Sequence, residues 1–210
     1  MSRAPRIEDY AVIGDGQTMA LVSRRGSIDW LCWPRFDSAA CFASLLGTVD
    51  HGRWQIAPRG RFRATRRYRD DSLILETCFE TDSGAVTLID FMPPRGEASD
   101  VVRVVRGERG DVDLHMDLTV RFDYGSALPW VTQKRASDAG GINELTAIAG
   151  PDRVVLRTCA TLQGRGKHTV ADFSVKAGER MQFVLTYSAS HLETPKAIDV
   201  EAASRDTEAW

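Results

Sequence analysis

Three aspartates beside aromatic residues are the first groups in this sequence able to do chemistry. Asp29 precedes Trp30, Asp37 follows Phe36, and Asp123 lies between Phe122 and Tyr124. Two convergent carboxylates, one protonated and one ionised, make the acid–base pair of a glycosidase. Nothing in the spacing makes any two of these three converge, and each has a structural role open to it. Asp29 reads as an outward strand residue, Asp37 as a helix cap, and Asp123 as the end of a long strand. The histidines lie far apart in unlike contexts, so no metal-ligand spacing is present, and neither a metal nor another cofactor is expected. No G-x-S-x-G elbow and no P-loop occur. Gly14-Asp15-Gly16 lacks the continuation of a dinucleotide-binding loop and reads as a turn.

The aromatic residues are more telling. Trp30, Trp33, Phe36 and Phe42 crowd the stretch Gly26–Gly47, and Phe122, Tyr124 and Trp130 crowd a second one. Trp30, in strand alternation, is expected in the core. Trp33 and Phe36 flank Pro34 and Arg35, where rings beside a guanidinium and carboxylates suit sugar stacking or a wet domain interface.

The elements that must position these groups are mostly strands. Ile28–Trp33 returns from Thr18–Val22 across Arg24-Arg25-Gly26-Ser27 as a hairpin. Pro34 breaks it. Residues 38–46 then predict a short helix, with Asp37 or Ser38 as N-cap, Phe42, Leu45 and Leu46 on one face, and Gly47 closing it. Ser72–Glu80 and Ala85–Phe91 form a second hairpin around Thr81-Asp82-Ser83-Gly84. Val101–Val105 is β-branched. From Val112 to Asp123 apolar and polar residues alternate strictly, the mark of a half-buried strand, about 40 Å long at ~3.3 Å per residue. Further strands are expected at 131–134, 144–148, 153–158, 169–175 and 181–187. The fold class is therefore all-β, an antiparallel two-sheet sandwich. Thr194-Pro195 predicts the start of a helix running to Trp210, which has no C-cap and reads as a linker cut short. The expected division is a β-sandwich over 1–192 and a linker helix over 193–210.

Composition sets the class of partner. A formal net charge of −2 over 210 residues argues against nucleic acid. The run Arg59, Arg61, Arg63, Arg66, Arg67 and Arg69 reads as a solvated strand face. No apolar run is long enough to span a bilayer, and no signal peptide follows Met-Ser-Arg-Ala-Pro-Arg. Cys32, Cys41, Cys78 and Cys159 lack metal-type spacing and read as free thiols, mostly buried, in a cytoplasmic protein.

Ile7–Gly16, Thr18–Val22, Gly26–Cys32, Pro34-Arg35-Phe36-Asp37-Ser38 and Phe42–Gly47 together resemble the N-terminal domain of bacterial glycoside hydrolase family 15 proteins, the glucoamylase-like and trehalase-like enzymes. Arg121-Phe122-Asp123-Tyr124-Gly125 with Pro129-Trp130 is similar to a second motif of that domain, and Thr207-Glu208-Ala209-Trp210 to the helix entering the catalytic domain. The resemblance implies a β-supersandwich followed by an (α/α)6 barrel whose two glutamates hydrolyse an α-glucosidic bond with inversion. Neither barrel nor glutamate pair lies in these residues, so no catalytic residue is carried over. What it implies for this chain is docking on that barrel and shaping of its rim, with α-glucoside substrate as a further contact. Trp33, Arg35, Phe36 and Asp37 would form one contact loop, and Asp123, Tyr124 and Trp130 a second. A free-standing carbohydrate-binding module is the alternative, and trehalase and glucoamylase types are not separated.

Overall fold

A computed structural model describes residues 5–138 and 140–210. Ala139, in the expected Ala139-Gly140-Gly141 turn, and the first four residues read for a signal peptide lie outside the described residues. In chain order the strands are β1 (Tyr10–Gly14), β2 (Met19–Ser23), β3 (Ser27–Cys32), β4 (Ala40–Phe42), β5 (Arg53–Pro58), β6 (Arg63–Tyr68), β7 (Leu75–Glu80) and β8 (Gly84–Phe91). There follow β9 (Ser99–Thr119), β10 (Trp130–Lys134), β11 (Asn143–Ala149), β12 (Asp152–Thr158), β13 (Gln163–Arg165), β14 (His168–Lys176), β15 (Arg180–Ala189) and a helix, α1 (Val200–Ala209).

All pairings are antiparallel, and they build the expected sandwich. The first sheet runs β1-β2-β3-β5-β9-β14-β13, with β4 on the far part of β3. The second runs β6-β7-β8-β9-β15-β12-β11-β10. β9 belongs to both. Its first half, Ser99 to Arg106, pairs with β15 in the second sheet, and its second half, Asp111 to Leu118, pairs with β14 in the first. The segments 101–105 and 112–123, expected as separate strands, are thus one 21-residue strand that ends at Thr119 and not at Asp123. Two glycines make the crossing. Gly110 has φ +68, and a Cβ on Gly107 would lie 1.9 Å from the Lys176 carbonyl oxygen. The bend returns both ends of β9 to one end of the sandwich.

The alternation expected in β9 holds where it lies in the first sheet. Val112, Leu114, Met116 and Leu118 are buried, Asp113 is exposed, and His115 and Asp117 are half-buried. β8 has no wet face and is buried along its whole length. One side packs Val86 and Leu88 into the main core. The other places Ile89 and Phe91, with Val102, Val104 and Val184, beneath Val200 and Ala203 of α1. Burying that valine stabilises by roughly 1.5–3 kcal/mol.

α1 starts later than Thr194-Pro195 predicts. Arg153 donates to the Glu193 carbonyl at 2.7 Å and Arg157 to the Pro195 carbonyl at 2.7 Å, and this part of the chain is not helical. Asp199 is the true N-cap, accepting from the amides of Glu201 and Ala202 at 2.9 and 3.1 Å. Arg69 pairs with Glu208, and Arg180 with Glu201 at 2.6 Å, so α1 lies strapped to the second sheet. A Cβ on Gly16 would meet the Trp210 ring at 3.1 Å, which places the end of α1 over the Gly14–Gly16 turn.

The helix expected over residues 38–46 is not there. Ala40–Phe42 is β4, and only Ser44–Leu46 forms a 3-10 turn. β3 offers a free edge beyond its pairing with β5, and the main-chain bonds of that edge outweigh the local helical period. The sandwich is closed unequally at its sides. At the β1/β6 side the Tyr68 hydroxyl accepts from the Val12 amide at 2.8 Å and donates to its carbonyl at 2.9 Å. At the β13/β10 side a cleft remains.

Candidate functional site

β3 carries the Gly26–Gly47 aromatics, and a bulge decides which way they face. Leu21 pairs with Trp30 and Val22 with Ile28, leaving Asp29 as the extra residue. The bulge reverses the inward–outward parity. Trp30, expected in the core, is turned part-way out, while Leu31 and Trp33 turn in. Trp33 is 3% exposed, donates Nε1–H to Ser99 Oγ at 2.9 Å, and has its ring 5.8 Å from that of Tyr187. It is therefore a core anchor and not a residue of an exposed contact loop. Asp29 is buried, not outward, and accepts from Tyr10 at 2.7 Å, Ser27 at 2.5 Å and Ser44 at 3.0 Å. Burial, with this bond to Asp29, pushes the Tyr10 phenol well above its ordinary value.

Ser99 also connects Trp33 to a network the sequence reading missed. Asp15, in the Gly14–Gly16 turn, accepts from the amides of Gln17 and Thr18 at 3.0 and 2.9 Å, from Ser99 Oγ at 2.7 Å, and from Arg95 at 2.9 and 2.7 Å. Burial raises such a carboxyl. The hydrogen bonds from Ser99, the two amides and Arg95 outweigh it and hold Asp15 below its ordinary value. The signal was an acid inside a glycine turn, together with an arginine in Pro93-Pro94-Arg95-Gly96.

The loop after Trp33 stands in solvent. Phe36 is 68% exposed and tied by its amide to the Gln17 carbonyl at 3.0 Å. Asp37 caps no helix. It receives Arg35 Nε at 2.9 Å and Nη2 at 3.3 Å, and that guanidinium holds it below its ordinary value. The two charges satisfy each other within the loop, both facing water.

The second motif sits at the same end. Asp123, Tyr124 and Gly125 all have left-handed backbone, φ 50, 57 and 101. Two such non-glycine residues in succession store strain of about 1 kcal/mol or more each. Ser126 donates to Asp123 Oδ2 at 2.7 Å, and a Cβ on Gly125 would lie 3.0 Å from the His51 ring. The turn sets the Tyr124 ring 6.1 Å from that of Trp30. Trp130, 77% exposed at the start of β10, shares an open cleft of about 620 Å³ with Asp123 and Asp152. Asp152 accepts from Tyr187, whose ring packs on Trp33, so cleft and core anchor are joined by contact.

The fold thus brings Tyr124 to Trp30 and Asp123 to Trp130, keeps Arg35, Phe36 and Asp37 on a neighbouring loop, and buries Trp33. No two of Asp29, Asp37 and Asp123 share a partner. No cluster of metal-ligating side chains occurs among the described residues. No described helix is long and apolar enough to cross a membrane. The cysteines are free; Cys32 and Cys41 are buried, Cys78 half-buried and Cys159 exposed. Burial pushes the thiols of Cys32 and Cys41 up, away from the reactive thiolate.

The profile of the family described as trehalase-like, N-terminal, matches residues 2–208. The trehalase of Mycobacterium tuberculosis is 29% identical over 98% of this chain and 33% of its own length. That of Mycolicibacterium smegmatis is 34% identical over 57% of this chain and 21% of its own. Trehalase 1 of Sulfolobus acidocaldarius is 33% identical over 58% and 21% respectively. The chain spans a third or less of the length of these relatives.

Proposed function

We propose, for a chain that belongs to the trehalase-like N-terminal family, that it is the non-catalytic N-terminal domain of a trehalase-type hydrolase and docks on a catalytic domain in the same polypeptide. The observation that carries this reading is the loop end of the sandwich. Exposed aromatics (Phe36, Tyr124, Trp130), a self-paired Arg35–Asp37 and a strained turn gather there. The carboxylates near them are committed to Tyr10, Ser27 and Ser44, to Arg35, to Ser126, or, for Asp152, to Tyr187, which does not suit an acid–base pair.

The finer reading follows the resemblance in the sequence. The enzyme would be an inverting α-glucosidase of glycoside hydrolase family 15, of trehalase or glucoamylase type, with an (α/α)6 barrel carrying two glutamates. Residues 1–192 would be the sandwich and 193–210 the passage to the barrel. Arg35, Phe36 and Asp37 would meet the barrel, and Asp123, Tyr124 and Trp130 would border its substrate entrance. A cytoplasmic setting suits the free thiols. The test is Arg35→Ala with Asp37→Ala in the longer enzyme. Turnover of trehalose or maltose falls while the isolated chain melts as before. Unchanged turnover and unchanged stability of the longer enzyme would remove the docking reading.

A second reading rests on Trp130. An exposed indole above a cleft with two carboxylates suits a sugar ring, so the chain would bind glucosides by itself. Titration with trehalose and maltose, followed by tryptophan fluorescence, decides it; no saturable change excludes it.

A further inference from the structure

Arg121 is 3% exposed, yet it has no ion pair among the described residues. Nη1 donates to the Val120 carbonyl at 2.6 Å, and only long contacts of 3.5 Å reach the Lys167 carbonyl. Its acceptors are therefore main-chain carbonyls alone, with no carboxylate among them. Two other buried arginines do meet a carboxylate, Arg103 at Asp90 (2.8 Å) and Arg157 at Glu144 (3.0 Å), while Arg153 meets the Ser188 hydroxyl and the Glu193 carbonyl at 2.9 and 2.7 Å. A buried guanidinium without a counter-charge costs several kcal/mol.

Arg121 lines a cleft of about 430 Å³ between the sheets, on the side that Tyr68 does not close. Lys167 and His168 share its wall, and no aspartate or glutamate does. Asp117 is taken by Arg53 at 2.9 Å and by His168 at 3.0 Å. Asp50 favours the Arg121 charge from a distance without pairing with it; it is exposed and stands 4.0 Å from His168. The rest of the lining is largely apolar, with Leu118 from one sheet and Leu145 from the other, closed by Leu128 and Val131.

We infer that this cleft binds a small organic acid, its carboxylate on Arg121 with Lys167 beside it, and its compact apolar body between Leu118 and Leu145. A planar carboxylate matches the fork of a guanidinium, and the lining offers an apolar body a dry contact that a bare inorganic anion cannot use.

Sodium benzoate is the probe, titrated into the 15N-labelled chain at ionic strength matched with sodium chloride. Saturable shifts of the amides of residues 118–121, 130–133 and 164–169 are expected. Lys167→Gln, at an exposed position, weakens binding by roughly threefold, and Arg121→Gln by at least about tenfold, a loss typical of one charge-assisted contact. Where Arg121→Gln does not fold, Arg121→Lys keeps the charge, loses the fork, and binds several-fold more weakly. Shifts that merely follow chloride would overturn the site. Inorganic phosphate binding as tightly as benzoate would overturn the organic ligand. Loss of benzoate binding in the longer protein would mean that a carboxylate from the rest of that chain fills the cleft, and would overturn the small-molecule assignment.

Discussion

At one end of the sandwich β8 starts, β14 hands over to β15 and β9 bends, and the main chain closes each return itself. Gly107 donates to Glu179 at 2.9 Å, Gly178 to Gly107 at 3.0 Å, Ala177 to Gly110 at 3.0 Å and Thr81 to Gly84 at 2.8 Å. At the other end side chains do that work, through Asp15, Arg95, Ser99 and Trp33, and beyond them stand a strained turn and rings in water. A corner held by backbone leaves little room for residues that do anything else. An end held by side chains can carry groups chosen for a partner. The proposed working face rests on this difference more than on any single residue.

The largest test of the contrast is at the corner. Gly107→Val puts a branched side chain into the Lys176 carbonyl, so the variant loses more than about 4 kcal/mol or does not fold, as judged by circular dichroism and urea unfolding. Next is Asp15→Asn, which leaves Arg95 without its counter-charge and costs roughly 2–3 kcal/mol in the same assay at neutral pH. Its pH dependence has a definite sign. The folded Asp15 lies below the ordinary 3.8, so its contribution is complete above 3.8 and is lost as pH falls through the lower folded value. Melting temperatures of parent and variant therefore converge in acid; a gap constant down to the acid limit would assign the effect to packing. Smaller still is Tyr124→Gly. It releases a left-handed strain of about 1 kcal/mol against the loss of the Trp30 contact, and leaves the chain within about 0.5 kcal/mol of the parent, or more stable. A clear destabilisation would mean that the turn serves the fold alone. The smallest is Arg35→Ala with Asp37→Ala, for which the isolated chain's melting curve does not move, because both groups face water.

Much of the architecture was legible because it rests on local pattern. The hairpins β2–β3 and β7–β8 declare themselves by glycine-bearing turns between β-branched runs, and the first-sheet half of β9 by its alternation. What was not legible depends on contacts distant in sequence. The bulge at Asp29 changes no composition, yet it exchanges the fates of Trp30 and Trp33. Phe42, Leu45 and Leu46 keep a helical period that the open edge of β3 overrides. The union of two segments into β9 needs Gly107 and Gly110 to bend without breaking the ladder, and nothing local separates that from a turn. Arg103 was readable in principle. A lone charge in Val101–Val105 asks for a partner, and Asp90, directly opposite in β8, has the same anomaly. Of the site, the two motifs were identified as stretches, but the side-chain network behind them was not.

Because β9 is a shared member of both sheets, neither sheet has a complete set of neighbours without it. Its two halves also pair in both directions along the chain, with β5 and β8 before it on one side and with β14 and β15, well after it, on the other. Late assembly follows, since β9 must await partners synthesised some sixty residues after it, and so does all-or-none loss. Amides in the two halves of β9 should exchange with deuterium at one common, globally limited rate, and denaturation should pass through one transition with no half-sandwich populated.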